Sequence, residues 1–316
     1  MTSIFKVMAV VAVVGVLCVG AVALATDFAW DANTANTNWR TVNNWDLDSS
    51  FPQNDTDNAD ITSGGNTCTL NDTGALVVNR ITLGGASPTK RKLHIKNGVL
   101  VADELLLQDY ADVDVDQSFT ILEDTQISDN VWIDVANGVA FQLATVTQDH
   151  PALRVKSAQA VLNLKTTGTG VFKVEGILVD ADAANASRGL KLDGGTLTLG
   201  SFSEIELKSD PDTDNQRAKF WLATGSIAAE DFGTYVEMEG GGSIDTGAEL
   251  DLDQDLAMGT NATYPGFIVI EGYASIDIAA NKKFTAPTLT IGDAAGMLAA
   301  VVDLRAASGA AIEIGF

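Results

Sequence analysis

A short motif recurs nine times along this chain, and that recurrence restricts the possible folds more than any other feature. Each copy is an apolar residue, any residue, a second apolar residue, then polar or glycine residues and a further apolar one. Copies stand at Leu93-His94-Ile95, Val113-Asp114-Val115, Ile133-Asp134-Val135, Leu162-Asn163-Leu164 and Leu190-Lys191-Leu192, and again at Phe220-Trp221-Leu222, Leu250-Asp251-Leu252, Ile276-Asp277-Ile278 and Val302-Asp303-Leu304. They begin 20 to 30 residues apart. Apolar residues two apart share one face of a strand, and the residue between them points to the other face. Turn residues follow at Asn97-Gly98, Asn137-Gly138, Gly168 and Asp193-Gly194-Gly195. A single coil of this kind cannot bury its apolar face, whereas stacked coils share one continuous core. The pattern therefore predicts an all-β chain forming a parallel β-solenoid, or β-helix, of about nine coils over residues 61–316. At ~4.8 Å per coil the column would be roughly 40 Å long. An antiparallel sandwich, or a pair of them, also alternates strands with turns and stays open as an alternative. In the last copy, residues 297–307 are Ala-rich and their apolar spacing suits a helix as well.

Some copies match more deeply. Val113 to Phe119 parallels Leu250 to Leu256, and Ile133 to Phe141 parallels Ile276 to Phe284. A solenoid exposes a sheet edge at each end, and an uncovered edge pairs with other chains, so caps are expected. Residues 26–60 carry Trp30, Trp39 and Trp45 among Asn and Asp, unlike the repeats, and are read as an N-terminal cap with its indoles buried on the first coil. The same indoles would also suit stacking on sugar rings. Residues 310–316 show no polar cap, so that edge is expected to meet a partner or further chain.

Residues 1–25 read as a signal peptide. Lys6 is followed by an uncharged run from Val7 to Ala25, which ends in the small-x-small site Ala23-Leu24-Ala25. If retained, the same run is nearly long enough to anchor the chain in a membrane. Secretion to the extracellular space or cell surface is expected. Beyond the leader, 18 Lys and Arg face 42 Asp and Glu, a net charge near −24. Such a surface repels nucleic acid and anionic lipid, and suits solubility, divalent cations or saline surroundings. Cys68 alone remains after processing, which excludes an intramolecular disulfide and leaves the core to hold itself together. Its place in Asn66-Thr67-Cys68-Thr69-Leu70 reads as a buried strand position.

The N-terminal segment carries Trp30-Asp31, Asn38-Trp39-Arg40, Asn43-Asn44-Trp45, Pro52 and Asn58-Ala59-Asp60-Ile61. This succession resembles the start of bacterial secreted autotransporter-type parallel β-helix surface proteins, whose passenger repeats the remainder resembles more loosely. The resemblance implies a secreted β-helix used in adhesion, surface coating or matrix building. The chain departs from that family in lacking both a C-terminal translocator barrel and a sorting tail of Pro-Glu-Pro, apolar helix and basic cluster.

Asp210, Asp212 and Asp214 alternate in Asp210-Pro211-Asp212-Thr213-Asp214-Asn215, like the opening of a Ca²⁺ loop whose hard carboxylate oxygens surround a hard cation. Trp221 at the twelfth position and the absence of Gly at the sixth exclude an EF-hand, and a solvated acidic turn reads equally from these residues. Asn54 to Asp60 has the same ambiguity. If the coils stack in register, Asp251, Asp277 and Asp303 form an outward column, which would bind Ca²⁺ or keep a flat face from sticking to neighbours. His94 and His150 have no nucleophile motif beside them, no His/Cys cluster suits zinc, and Lys90-Arg91-Lys92 reads as a solvated turn. The expected function is non-enzymatic: a self-associating structural or adhesive component of a surface layer, matrix or filament. The alternative is a polysaccharide-binding or polysaccharide-cleaving β-helix protein, with aromatics and convergent carboxylates in a groove.

Overall fold

The computed structural model describes residues 25–32, 36–65, 67–85, 88–144, 152–155, 160–180, 188–200, 204–209, 217–229, 235–240, 243, 247–257, 267–291 and 300–314. Of the expected signal peptide only Ala25 falls among these residues, and His150, Asp210, Asp212 and Asp214 lie outside them.

Apolar-polar alternation becomes strand throughout, with side chains alternately buried and solvent-facing. The strands pair in three parallel ladders. The first runs from Thr26–Ala29 and Asp57–Ile61 through 80–83, 104–107, 124–127, Leu153–Val155, Ile177–Asp180, Glu204–Ser209, Tyr235–Gly240 and 267–272 to Thr288–Ile291. The second runs from Thr67–Leu70 through Arg91–Ile95, Ala111–Val115, Asn130–Val135, Ala160–Thr166, 188–193, 218–224, Ala248–Leu252 and 273–278 to Val301–Ala306. The third runs from 75–78 through 99–102, 119–121, Ala140–Leu143, Val171–Val174 and 196–199 to 226–229. It resumes in Leu256–Ala257, Lys283–Ala286 and Ala311–Ile314. The chain visits first, second and third ladder in turn, rung after rung, and every strand-to-strand pairing among the described residues is parallel. This is a three-faced parallel β-solenoid, and the antiparallel alternative is thereby excluded. The Ala-rich last copy, equally suited to a helix by spacing, is the strand Val301–Ala306.

The interior is built of columns, one side chain per rung. Cys68, Leu93, Val113, Ile133 and Leu164 stack in one, all buried. Phe119, Phe141 and Phe172 stack in another. The first two rings lie parallel with centroids 4.5 Å apart, and the next pair meets edge-on at 5.3 Å. Both deep sequence matches end at the start of the third ladder, at Phe119 and Leu256 in one case and at Phe141 and Phe284 in the other.

Unequal repeat lengths are absorbed at particular corners. Between second and third ladder the connection is three or four residues, or the strand runs straight through, as in Arg188–Leu199 and Ala218–Ala229. The longer connections fall at the other two corners. Where the strands run through, glycine is obligatory. Gly225 has φ +87°, and a Cβ on it would lie 2.5 Å from the carbonyl oxygen of Gly195 in the rung below.

The first rung is closed by residues 30–32 and 36–56. Trp30, Trp39 and Trp45 are buried, with Trp45 edge-on to both others at 5.1 Å. Trp39 Nε1 donates to Pro52 O (2.9 Å) and Trp45 Nε1 to Trp39 O (2.7 Å). The free edge of Thr26–Ala29 is occupied as well. Asp46 N donates to Ala29 O, and Ala29 N donates to Asp46 Oδ1, each at 2.9 Å. The Trp-rich segment thus both starts the first ladder and covers it.

Candidate functional site

The residue between the two apolar ones of each motif faces outward from the second ladder. Register decides what it meets. Trp221 stands opposite Asp251 and Asp251 opposite Asp277. Asp277 stands opposite Arg305, however, while Asp303 stands opposite Ser275. The expected three-deep column of Asp251, Asp277 and Asp303 is therefore corrected to two, with Arg305 in the third place. The cause is a slip of two residues in the last copy: Val302 aligns with Ala274 and Leu304 with Ile276. A second slip sets Leu162 opposite Val131 below it and Leu192 above it. A two-residue slip keeps every apolar side chain inward, so the motif alone does not distinguish it from the aligned register.

The pair Asp251–Asp277 lies between cations. Lys219 Nζ donates to Asp251 at 2.7 Å and to Glu249 at 2.8 Å, and Arg217 pairs with Glu249. Arg305 reaches Asp303 at 2.7 Å and Asp277 at 3.6 Å. Burial and the neighbouring carboxylates of Glu249 and Asp251 raise the Asp277 pKa, against the pull of Arg305. Glu249 is buried, which works to raise its pKa, but Lys219 and Arg217 outweigh burial and hold it below the ordinary glutamate value. For Lys219 partial burial opposes the charged form, yet hydrogen bonds to Asp251 and Glu249 prevail and raise its pKa. Trp221 Nε1 donates to Asp253 at 2.8 Å, and Lys191 Nζ lies 4.5 Å from the Trp221 ring centre. A shallow groove of about 420 Å³ runs past Asp251, Asp253, Asp277, Ile278 and Arg305.

A second patch of the same construction lies nearer the N-terminus on the same face. Lys92 donates to Asp114 (2.7 Å) and approaches Asp112 (3.7 Å), Lys165 approaches Asp134 (3.9 Å), and Lys90 sits 3.6 Å over the Trp132 ring. The basic run read as a solvated turn thus pairs with carboxylates one rung above. His94 faces outward and pairs with Asp116 at 2.8 Å.

Among the described residues, no three His, Cys, Asp or Glu side chains converge as metal ligands. In the segment from Asn54 to Asp60, Asp57 Oδ2 accepts from Gln53 N, Asn54 N and Asn54 Nδ2, each at 3.0 Å, and Asp60 accepts from Thr62 N at 3.0 Å. Those carboxylates close a turn. Cys68 is fully buried, which pushes its thiol pKa well up.

Lys219, Glu249 and Arg305 escaped the sequence reading, although a signal for the first two was present. Each immediately precedes an aligned apolar residue, Phe220 or Leu250, so extending the motif by one position brings them together. Fold and face define the chain as a three-faced parallel β-solenoid bearing ion-paired ladders. No protein-family model matches it, and neither curated proteins nor solved structures yield a match.

Proposed function

We propose that this is a secreted, non-enzymatic structural or adhesive protein that works by associating with itself, as a component of a surface layer, matrix or filament. The observation that supports this reading is the solenoid itself, three parallel ladders stacked rung on rung over one continuous core, a scaffold that presents long regular faces for side-by-side contact. The leader supports export, and the resemblance to autotransporter-type β-helix proteins supports a place at a cell surface. A net charge near −24 suits an extracellular, salt-tolerant surface. Ca²⁺ enters the proposal through Asp210, Asp212 and Asp214, whose mutual repulsion a divalent cation would relieve. Electron microscopy of the purified chain, with and without millimolar Ca²⁺, tests the reading. Filaments, sheets or joined rods support it, and isolated rods at high concentration in both conditions sink it.

The groove favours a second reading, a polysaccharide-acting protein. Two carboxylates on adjacent rungs, ~5 Å apart by strand spacing, suit glycoside hydrolysis, and the raised pKa of Asp277 would suit the acid. Glycan-array binding, or reducing-sugar release abolished by Asp277→Asn, would establish it. Silence in both assays removes it.

A further inference from the structure

The outward face of the third ladder is almost free of charge, on a chain whose net charge beyond the leader is near −24. One unbroken column on it runs through Val77, Val101, Thr120, Gln142, Lys173 and Thr198 to Ala228. The outward strand positions beside that column are Ala, Val, Thr or Ser from Ala75 to Ser226. Lys173 is the only charged residue in the third-ladder segments of these seven rungs. Over the same rungs the first ladder shows Glu104, Asp124 and Glu206 outward, and the second shows Asp112, Asp114 and Asp134. Val77 and Val99 are 37% and 42% exposed. Ala75, Ala140, Ser226 and Ala228 are exposed as well.

We propose that this face docks on the same face of a second copy, with the two rods side by side and antiparallel. The contact rests on the self-associating function proposed above and gives it a location. Setting either carboxylate-rich face against a second copy would bring like charges together. Contact through the third face leaves those charges outside it, where a screening length of ~8 Å at physiological salt damps their repulsion. The occupant is a second copy because its rungs share the same ~4.8 Å spacing, so the two faces stay in phase over their whole length. Two kinds of two-fold axis lie in the plane of such a contact. An axis along the solenoid sets each rung on itself and Lys173 on Lys173. An axis along the strands through Gln142 reverses the second rod. It sets Val77 opposite Ala228, Val101 opposite Thr198 and Thr120 opposite Lys173 of the second copy. This second axis keeps the lysines apart and still overlaps all seven rungs, and the contact closes at two copies. The face measures roughly 30 Å by 13 Å, about 400 Å² per copy against the ~800 Å² per partner of a standard interface, so the rods pair at high local concentration.

Sheets packed face to face stand ~10 Å apart, within reach of a short bis-maleimide. In the full chain carrying Cys18→Ser, with Cys68 buried, Gln142→Cys should give a cross-linked dimer and Thr198→Cys alone should not. Chains with Thr198→Cys should link to chains with Val101→Cys. In sedimentation, association should strengthen as salt rises from about 10 to about 150 mM, because the screening length falls from ~30 Å to ~8 Å. Thr120→Asp should weaken it about tenfold or more. Gln108→Glu adds the same charge at an exposed corner between the first and second ladders and should leave it unchanged, with circular dichroism reporting on both folds. If the chain associates but Gln142→Cys does not link, or Thr120→Asp and Gln108→Glu act alike, the third-face contact is wrong while self-association stands. A chain that stays monomeric at every concentration and salt overturns both. Pairing that needs an added polysaccharide gives the face to that ligand and overturns the direct contact.

Discussion

Asp103 shows how a single residue reports its surroundings. Burial, with Glu123, Asp55 and Glu104 close by, raises its pKa from 3.8 to about 6. The folded chain holds this proton up to about pH 6, the unfolded chain only to about 3.8, so stability falls as pH rises through that window. Asp103→Asn should therefore stabilise the protein by about 1 kcal/mol at pH 7.5, after discounting for solvent screening, and leave it unchanged at pH 3. Urea titrations at both pH values check this. Lys219 carries the opposite sign. Lys219→Met leaves Glu249 and Asp251 without their shared cation and should cost about 2 kcal/mol at pH 7. Because the Glu249 pKa is held low in the folded state, its contribution is present above the ordinary glutamate range and is lost as pH falls through the folded value. The penalty of Lys219→Met should shrink in acid, as thermal unfolding from pH 7 down to pH 3 would record.

At the scale of the element, the unit is the column rather than the strand. Phe141 lies between Phe119 and Phe172, so Phe141→Ala opens a cavity touching three rungs and should cost about 3–5 kcal/mol in chemical denaturation. Gly225→Ala should cost about 2 kcal/mol or more for a single methyl, because the corner beneath is backbone packed on backbone. The element scale is also where sequence stops being informative. The motif placed nine strands on one ladder, and all nine stand there, with Thr67–Leu70 as a tenth below them. It did not reveal that the fourth and ninth copies are slipped by two residues, since period-two alternation is blind to such a slip. Asp303 was misplaced for that reason alone.

At the scale of the whole molecule, each rung is covered by its neighbours, so the ends carry the lowest local stability. Amide hydrogen exchange should be slowest in the middle rungs, as in Ala111–Val115 and Asn130–Val135, and exchange in those strands as fast as in the turns between them would overturn this.

The sequence by itself determined the all-β class, the inward set of the nine motif strands and the burial of Cys68, because apolar alternation and turn residues act locally and repeat, whereas the parallel pairing waited for the structure. Gly194 and Gly195 were legible as turn chemistry for the same reason, whereas Gly225 was not singled out. Tertiary structure decided which outward residues meet. The neighbour of Asp251 on the next rung is 26 residues away, and register is set by corner lengths and column packing. Only the stacked solenoid joins Lys219, Glu249, Asp251, Asp277 and Arg305 into one face.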